Sequence, residues 1–301
     1  MIKENLLIDF FDNINCEYKF REKMSRHTTF KIGGEADCFV TVNSLENLSE
    51  ILRFADKNGI PTFILGNGSN LLVSDIGIDG IVIKLNFDND ITQKDGVITV
   101  GADLKLSAFC NFALTNSLTG AEFAWGIPGT VGGAVFMNAG AYGSEIKDII
   151  VSARTVDNKG NIKTYSKDEM CLGYRHSVFK ENKEIIIDAD FKLALGEKET
   201  IKAKMDDLMF RRRDKQPLEY PSAGSVFKRP PNNFAGTLIE QCGLKGKQIG
   251  GAAVSTKHAG FIVNVGNATC SDVLDLIGFI KSTVFAETGV KLEQEIAVTG
   301  R

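Results

Sequence analysis

Apolar and polar residues alternate along this chain with two periods, and the order in which the periods follow one another maps its elements. Residues 1–28 open on an amphipathic helical pattern and pass into a polar, charged connection. Residues 30–34 and 36–42 predict a strand, a glycine turn and a second strand. Ser44 predicts the cap of a helix running to Lys57, with Leu48, Ile51, Leu52 and Ala55 on one face and Gly59 and Pro61 ending it. A short buried strand is expected at 62–65, extended backbone from Leu71, and strands near 81–85 and 97–100. A helix follows from Lys105 to Asn116, then strands near 149–156, 161–165 and 185–193. Residues 199–213 read as a basic helix, after which Pro217, Pro221, Pro230 and Pro231 break regular structure. The C-terminal part predicts a helix at 235–242 and strands near 249–254 and 260–264. Its last helix starts at Thr269-Cys-Ser-Asp272, a capping box with Asp in the Glu position. Val273, Ile277, Ile280 and Val284 line one face of that helix, Gly289 stops it, and a final strand covers 292–298. A β-α-β alternation that passes into a strand-rich region predicts an α+β or α/β domain ending near residue 195.

Composition narrows the class. The 301 residues suffice for one large or two smaller domains, and 43% apolar with 24% charged residues is ordinary for a globular protein. A net charge of −3 argues against general nucleic-acid binding. Six cysteines lie far apart without a CxxC pair, and with only three histidines no zinc spacing can be assembled. No metal is expected, and the cysteines read as reduced core residues. The N-terminus carries acids inside its apolar run and lacks a cleavage site. No run approaches the roughly 20 apolar residues of a membrane span. The expectation is a soluble cytoplasmic protein with neither nucleic acid nor membrane as partner.

Residues 126–143 hold six glycines and no charged side chain. Such density points to positive φ or to close approach of the backbone to something, and the apolar residues between the glycines exclude a flexible linker. A set of tight turns in a packed core and a ligand loop both fit. Gly66-Asn-Gly-Ser-Asn-Leu71 follows an apolar strand and can aim backbone N–H groups at a phosphate. The third glycine and opening helix of a dinucleotide fingerprint are missing. A pyrophosphate-containing cofactor clamped between the two loops accounts for both. Tyr174-Arg175 joins a ring to a guanidinium suited to a carboxylate or phosphate, or it is a surface Arg stacked on its neighbour. Ser225 follows a glycine within Ser222-Ala-Gly-Ser-Val-Phe-Lys-Arg-Pro230, with no local His or Asp to complete a triad. Arg211, Arg212, Arg213, Lys215, Lys228 and Arg229 make a local positive field suited to a phosphorylated substrate or a solvated face. Glu293 and Glu295 share a side of the last strand; a carboxyl facing a closed cleft can serve as an acid.

Ile64-Leu-Gly-Asn-Gly-Ser-Asn-Leu-Leu-Val-Ser-Asp75, Gly126-Ile-Pro-Gly-Thr-Val-Gly-Gly-Ala-Val-Phe-Met-Asn-Ala-Gly-Ala-Tyr142, Tyr174-Arg-His-Ser177, Ala223-Gly-Ser-Val-Phe-Lys-Arg-Pro230 and Leu292-Glu-Gln-Glu-Ile296 occur together and in order. With them the chain, from about Arg26 to its end, resembles the UDP-N-acetylenolpyruvoylglucosamine reductase family, in its shorter second type. The resemblance implies a two-lobed FAD-binding domain of the vanillyl-alcohol oxidase and CO dehydrogenase kind over 29–194. A helical segment, 1–28, packs on it, and an α+β substrate domain over 195–301 returns its final strand to the active site. It implies FAD held by Gly66, Asn67, Gly68, Ser69, Asn70 and Leu71, and by Gly126, Pro128, Gly129, Thr130, Gly132, Gly133, Asn138, Ala139 and Gly140. Arg175, Ser225 and Glu295 fall on its catalytic positions, and Tyr174, Lys215, Lys228 and Arg229 in segments that meet the UDP-sugar. Arg229 stands where other members have Asn. By the same resemblance NADPH reduces the flavin and then yields one shared cleft to the UDP-sugar, and the chain is a monomer. Two other readings stay open here. One is a related FAD-dependent oxidase or dehydrogenase of another small molecule; no histidine stands beside 66–71 or 126–140 to bond FAD covalently. The other is a non-enzymatic nucleotide-binding protein, against which Arg175, Ser225 and Glu295 are all present.

Overall fold

The computed structural model describes residues 4–87 and 91–301; residues 1–3, which begin the expected N-terminal segment, lie outside the described residues, as do 88–90. The chain divides into two compact units. The first comprises the chain up to Lys19, Cys38–Asn67 and Gly80–Arg211, and the second comprises Phe20–Asp37, Gly68–Asp79 and Arg212–Arg301. The divisions read from sequence, 1–28, 29–194 and 195–301, run along the chain, whereas these units interleave.

In the first unit the helix Leu45–Asn58 follows its sequence signals. The Ser44 hydroxyl accepts the Asn47 N–H at 3.1 Å, Gly59 closes the helix at φ +63°, and Leu48, Ile51, Leu52 and Ala55 are buried. It feeds the strand Thr62–Leu65, which pairs in parallel with Ile78–Leu85, Thr62 opposite Ile81. These two close a four-stranded sheet with Glu35–Val42 and Glu17–Lys23. The last of these was expected as a connection. It is an edge strand with no buried residue, so no apolar alternation marks it. A second, antiparallel sheet runs in the order Ile162–Ser166, Ile150–Val156, Ile185–Lys192, Val97–Gly101, Thr92–Lys94. Its most apolar strand, Ile185–Lys192, lies third of five with five consecutive residues buried, as a strand covered on both faces should be. The helix Leu106–Thr115 packs on it, Phe109 against Phe191 with ring centroids 4.6 Å apart.

In the second unit the helix Cys270–Thr288 buries Val273, Leu276, Ile277, Ile280 and Val284. Its start is capped twice. Thr269 and Asp272 form the predicted box, and Asp75 accepts the Cys270 and Ser271 N–H groups at 2.7 and 3.0 Å. The helix covers a sheet ordered Ser222–Ser225, Phe261–Asn264, Ala252–Val254, Gln248–Ile249. The single strand expected at 249–254 is thus a hairpin, because Gly250 at φ +53° turns the chain. The strand expected at 30–34 is a turn instead. Lys31 stands at φ +59° and the Thr28 hydroxyl donates to the Ile32 carbonyl at 3.0 Å, which sends Phe30 and Ile32 together into the core. The final strand is also shorter than expected: regular pairing is confined to Ala297–Thr299, parallel to Leu71–Val73. Among the described residues no helix is long and apolar enough to cross a membrane.

Candidate cofactor and active site

The glycine-rich stretch 126–143 is a turn and a helix at once. After Gly129, whose carbonyl accepts the Leu106 N–H at 3.0 Å, the chain enters the short helix Val131–Phe136. Thr130 caps it, its buried hydroxyl accepting the Gly133 N–H at 3.2 Å. The carbonyls of Ala102 and Leu104 accept the Gly132 and Val131 N–H groups, both at 2.8 Å. A Cβ on Gly132 would stand 2.8 Å from that of Ala102, so packing requires this glycine. Gly129 and Gly133 are different. A Cβ on Gly129 would meet only carbons at 3.7 Å or more, and Gly133 is exposed. A Cβ on Gly133 would meet Thr130 Oγ1 at 3.4 Å, so neither glycine is demanded by packing, and neither loop carries a charge to repel an anion.

Gly66 and Asn67, in the same unit, are fastened to this stretch. The Asn67 amide donates to the Pro128 carbonyl at 2.6 Å, Lys84 Nζ donates to the Gly66 carbonyl, and a Cβ on Gly66 would lie 3.0 Å from Thr130 Oγ1. The two loops inferred from glycine density are therefore one structure here. Glycine backbone and loops free of charge fit a flat cofactor with a pyrophosphate, as FAD is.

Arg175 sits in a tight turn in which Gly173 and His176 exchange backbone hydrogen bonds at 3.1 Å, and it adopts φ +54°. Its guanidinium donates to the Gly140 carbonyl at 3.2 Å and lies 5.2 Å from the Tyr174 ring centroid. It is thus both stacked on its neighbour and turned to the glycine-rich stretch. Lys180 Nζ donates to the Arg175 carbonyl at 2.7 Å. Asn138 is fully buried, and its amide is used inside the protein. Nδ2 donates to the Gly173 carbonyl at 2.8 Å and to Glu145 Oε2 at 3.0 Å, and Oδ1 accepts the Lys147 N–H at 2.9 Å. Asn138 thereby ties the Arg175 turn to the stretch expected at the cofactor.

In the second unit, Gly68 adopts φ +59°, and a Cβ there would overlap the His27 carbonyl oxygen. Its own carbonyl accepts the Thr29 N–H at 3.1 Å, while the Thr29 hydroxyl donates to the Ser222 carbonyl at 2.7 Å. Thr29 therefore joins the segment 68–71 to the strand that ends at Ser225, whose side chain is exposed. On the other side of Ser225 the chain 226–228 runs antiparallel to 293–295. The Glu295 N–H donates to the Val226 carbonyl and the Lys228 N–H to the Glu293 carbonyl, both at 2.8 Å. Ser225 and Glu295 are brought onto neighbouring segments, and the Asn70 amide reaches the Glu295 carbonyl at 3.5 Å. Glu293 is exposed and forms an ion pair with Lys228. Arg229 lies 4.0 Å over the Phe234 ring, and Lys215 is exposed at the end of its helix. Sequence reading missed Thr29, Lys84 and the structural use of Asn138. Only Lys84 left a signal, a lysine inside the apolar run Ile81-Val-Ile-Lys-Leu85.

Residues 36–166 match the FAD binding domain family, and residues 216–299 match the UDP-N-acetylenolpyruvoylglucosamine reductase C-terminal domain family. The chain is 50% identical over 279 residues to UDP-N-acetylenolpyruvoylglucosamine reductase 2 of Bacillus cereus, covering 93% of this chain and 92% of that one. It is 49% identical to the reductase of Caldanaerobacter subterraneus, covering 98% of both. Among solved structures, UDP-N-acetylenolpyruvylglucosamine reductase from Thermus caldophilus superposes with a TM-score of 0.80 at 35% identity, over 94% of this chain and 98% of that one.

Proposed function

The chain belongs to the UDP-N-acetylenolpyruvoylglucosamine reductase family, and from that premise we propose how its residues divide the work of reducing the enolpyruvyl group. The protein is a UDP-N-acetylmuramate dehydrogenase of peptidoglycan precursor synthesis, with FAD as cofactor and NADPH as reductant. The loops 66–71 and 126–140 would hold FAD, whose chemistry when bound would be to pass a hydride taken from NADPH to the terminal alkene carbon of the enolpyruvyl ether. Adding that hydride pushes charge onto the substrate carboxylate, and a preorganised guanidinium stabilises it. Arg175 takes this role, held by its turn and by the Gly140 carbonyl. Glu295 contributes its carboxyl to the same group. The Ser225 hydroxyl gives its proton to the carbon beside the carboxylate, a transfer down a steep gradient toward a carbanion-like centre. Tyr174, Lys215, Lys228 and Arg229 meet the UDP-sugar, and Lys228 exchanges Glu293 for the diphosphate. NADPH and the UDP-sugar occupy one cleft in turn.

The reading is supported most by the joint held through Thr29 and the 226–228/293–295 pairing, which gathers the segment 68–71, Ser225 and Glu295. Without oxygen, NADPH should bleach the flavin bands of the purified protein, and UDP-N-acetylglucosamine enolpyruvate should restore them. Ser225→Ala should leave the bleaching rate intact while slowing the return by about a thousandfold. Equal loss in both half-reactions makes Ser225 structural, and intersecting initial-rate lines exclude the shared cleft. A wild-type protein that takes up no flavin removes the whole reading.

A further inference from the structure

We propose that Lys84 is a positioning residue that aims the Gly66–Asn67 peptide at the cofactor, and that Asp103, flanked by the carbonyls that hold the second glycine-rich loop, supports it. Lys84 is half-buried on the strand Ile78–Leu85, an apolar place for an ammonium group. Burial holds its amine below the ordinary lysine value, and the charge of Asp103 opposes that shift. Asp103 follows the strand Val97–Gly101. Burial raises its carboxyl above the usual carboxylate range, against hydrogen bonds from its own backbone and from Phe87 and against the charge of Lys84. Among the described residues its Oδ1 is buried without a hydrogen-bond partner, an arrangement that costs stability. A lysine on an apolar strand and a partly buried aspartate need an explanation beyond packing.

Their neighbours supply it. The carbonyls on either side of Asp103, those of Ala102 and Leu104, hold Gly132 and Val131 of the second loop. Lys84 Nζ holds the Gly66 carbonyl of the first. In a trans peptide the N–H points opposite to the carbonyl, so fixing the Gly66 oxygen on Lys84 turns the Asn67 N–H the other way. Glycine permits the whole peptide to flip at little cost. Flipped, it would present a carbonyl oxygen where an N–H should meet the cofactor, and an anionic group would be repelled rather than bound. Asn67 adds a second restraint through Pro128, which fixes its side chain but leaves the peptide plane free.

The inference rests on FAD being the cofactor, and it is tested on flavin-stripped protein titrated with FAD, read by quenching of flavin fluorescence. Lys84→Met should raise the FAD dissociation constant roughly ten- to a hundredfold, the loss of one charge-assisted hydrogen bond plus a misdirected peptide. The melting temperature of its flavin-free form should stay near that of wild type. Lys84→Arg, which can still reach a carbonyl, should recover most of the affinity, and Asp103→Asn should lose several-fold. Wild-type affinity in Lys84→Met, or an equal loss in Lys84→Arg, overturns the proposal. If Lys84→Met does not fold, an unchanged dissociation constant in Asp103→Asn overturns it instead. Failure of the wild-type protein to bind FAD would strike the cofactor reading, so the two failures are distinguishable.

Discussion

Asn138 offers the sharpest test of how the site is held together, because it is buried and its three hydrogen bonds are known individually. Asn138→Ala leaves the Lys147 N–H and the Gly173 carbonyl without their partner and places alanine at φ +42°. At about 1 to 1.5 kcal/mol for each of the three bonds, plus about 1 kcal/mol for the left-handed backbone, the loss should be roughly 4 to 5.5 kcal/mol. Asn138→Asp keeps the acceptor for Lys147 but replaces the donor with a carboxylate facing Glu145 Oε2 and the Gly173 carbonyl. At pH 7 its penalty should be comparable. It differs in its response to acid. A carboxyl so placed has a folded-state value above the unfolded one, about 3.9. Its penalty is therefore present above the folded value and relieved as pH falls through it, because the protonated acid can donate again. The single tryptophan, Trp125, lies in the same unit, so its emission during urea unfolding reports on the right part of the molecule. Between pH 7 and pH 5 the Asn138→Asp curve should approach wild type while the Asn138→Ala curve keeps its distance. A loss below about 1 kcal/mol in Asn138→Ala, or parallel pH dependence of the two variants, would refute the argument.

Two further outcomes follow from burial. Cys171 is exposed and should react with a thiol reagent at pH 8 well before the buried cysteines; burial and nearby Glu122 push the Cys110 thiol up to about 12, and burial and nearby Asp75 push Cys270 up to about 11. Mass mapping of partly labelled native protein checks this, and labelling of Cys110 ahead of Cys171 contradicts it. Glu122, also buried, accepts Thr119 Oγ1 at 2.5 Å, the Gly120 N–H at 3.0 Å and Lys204 Nζ at 3.3 Å. Burial pushes its carboxyl up, but these donors together outweigh burial and hold it below the ordinary value. Its stabilisation is present above the unfolded value of about 4.3 and is lost as pH falls through the folded one. Glu122→Gln should therefore cost roughly 1–3 kcal/mol at pH 7 and flatten the acid limb of the stability curve, whereas an unchanged limb would count against it.

What could be read from the sequence was what is written locally. Two helices announced themselves because their caps are chemistry within four residues: Ser44 and Gly59 for one, Thr269 with Asp272 and Gly289 for the other, whereas the short helix Val131–Phe136 was hidden among glycines. The central strand Ile185–Lys192 showed its burial in its composition. Cys171, expected in the core with the other cysteines, is exposed, since composition alone does not say which face a thiol takes. The edge strand Glu17–Lys23 was invisible because it buries nothing, and the turn at Phe30–Ile32 imitated a strand because both place alternate residues in the core. The site divides in the same way. Glycine density and the serine, arginine and glutamate motifs are local, and they can be picked out of the sequence. What fastens the loops is not. Thr29 reaches Ser222 across 193 residues, and Lys84 reaches back 18 to Gly66. Their side chains matter only through where the fold puts them; the threonine carries no mark of that, and the lysine shows only as a charge inside an apolar run. The same holds for Leu71–Val73 pairing with Ala297–Thr299, which gathers an early segment into the second unit. A parallel pair separated by most of the chain is specified by the core it completes, not by any residue within it. Glycine density is therefore legible in the sequence, while the polar residues that hold the loops in place emerge only from the folded arrangement. Lys84 and Asn138 are where that claim is exposed to experiment.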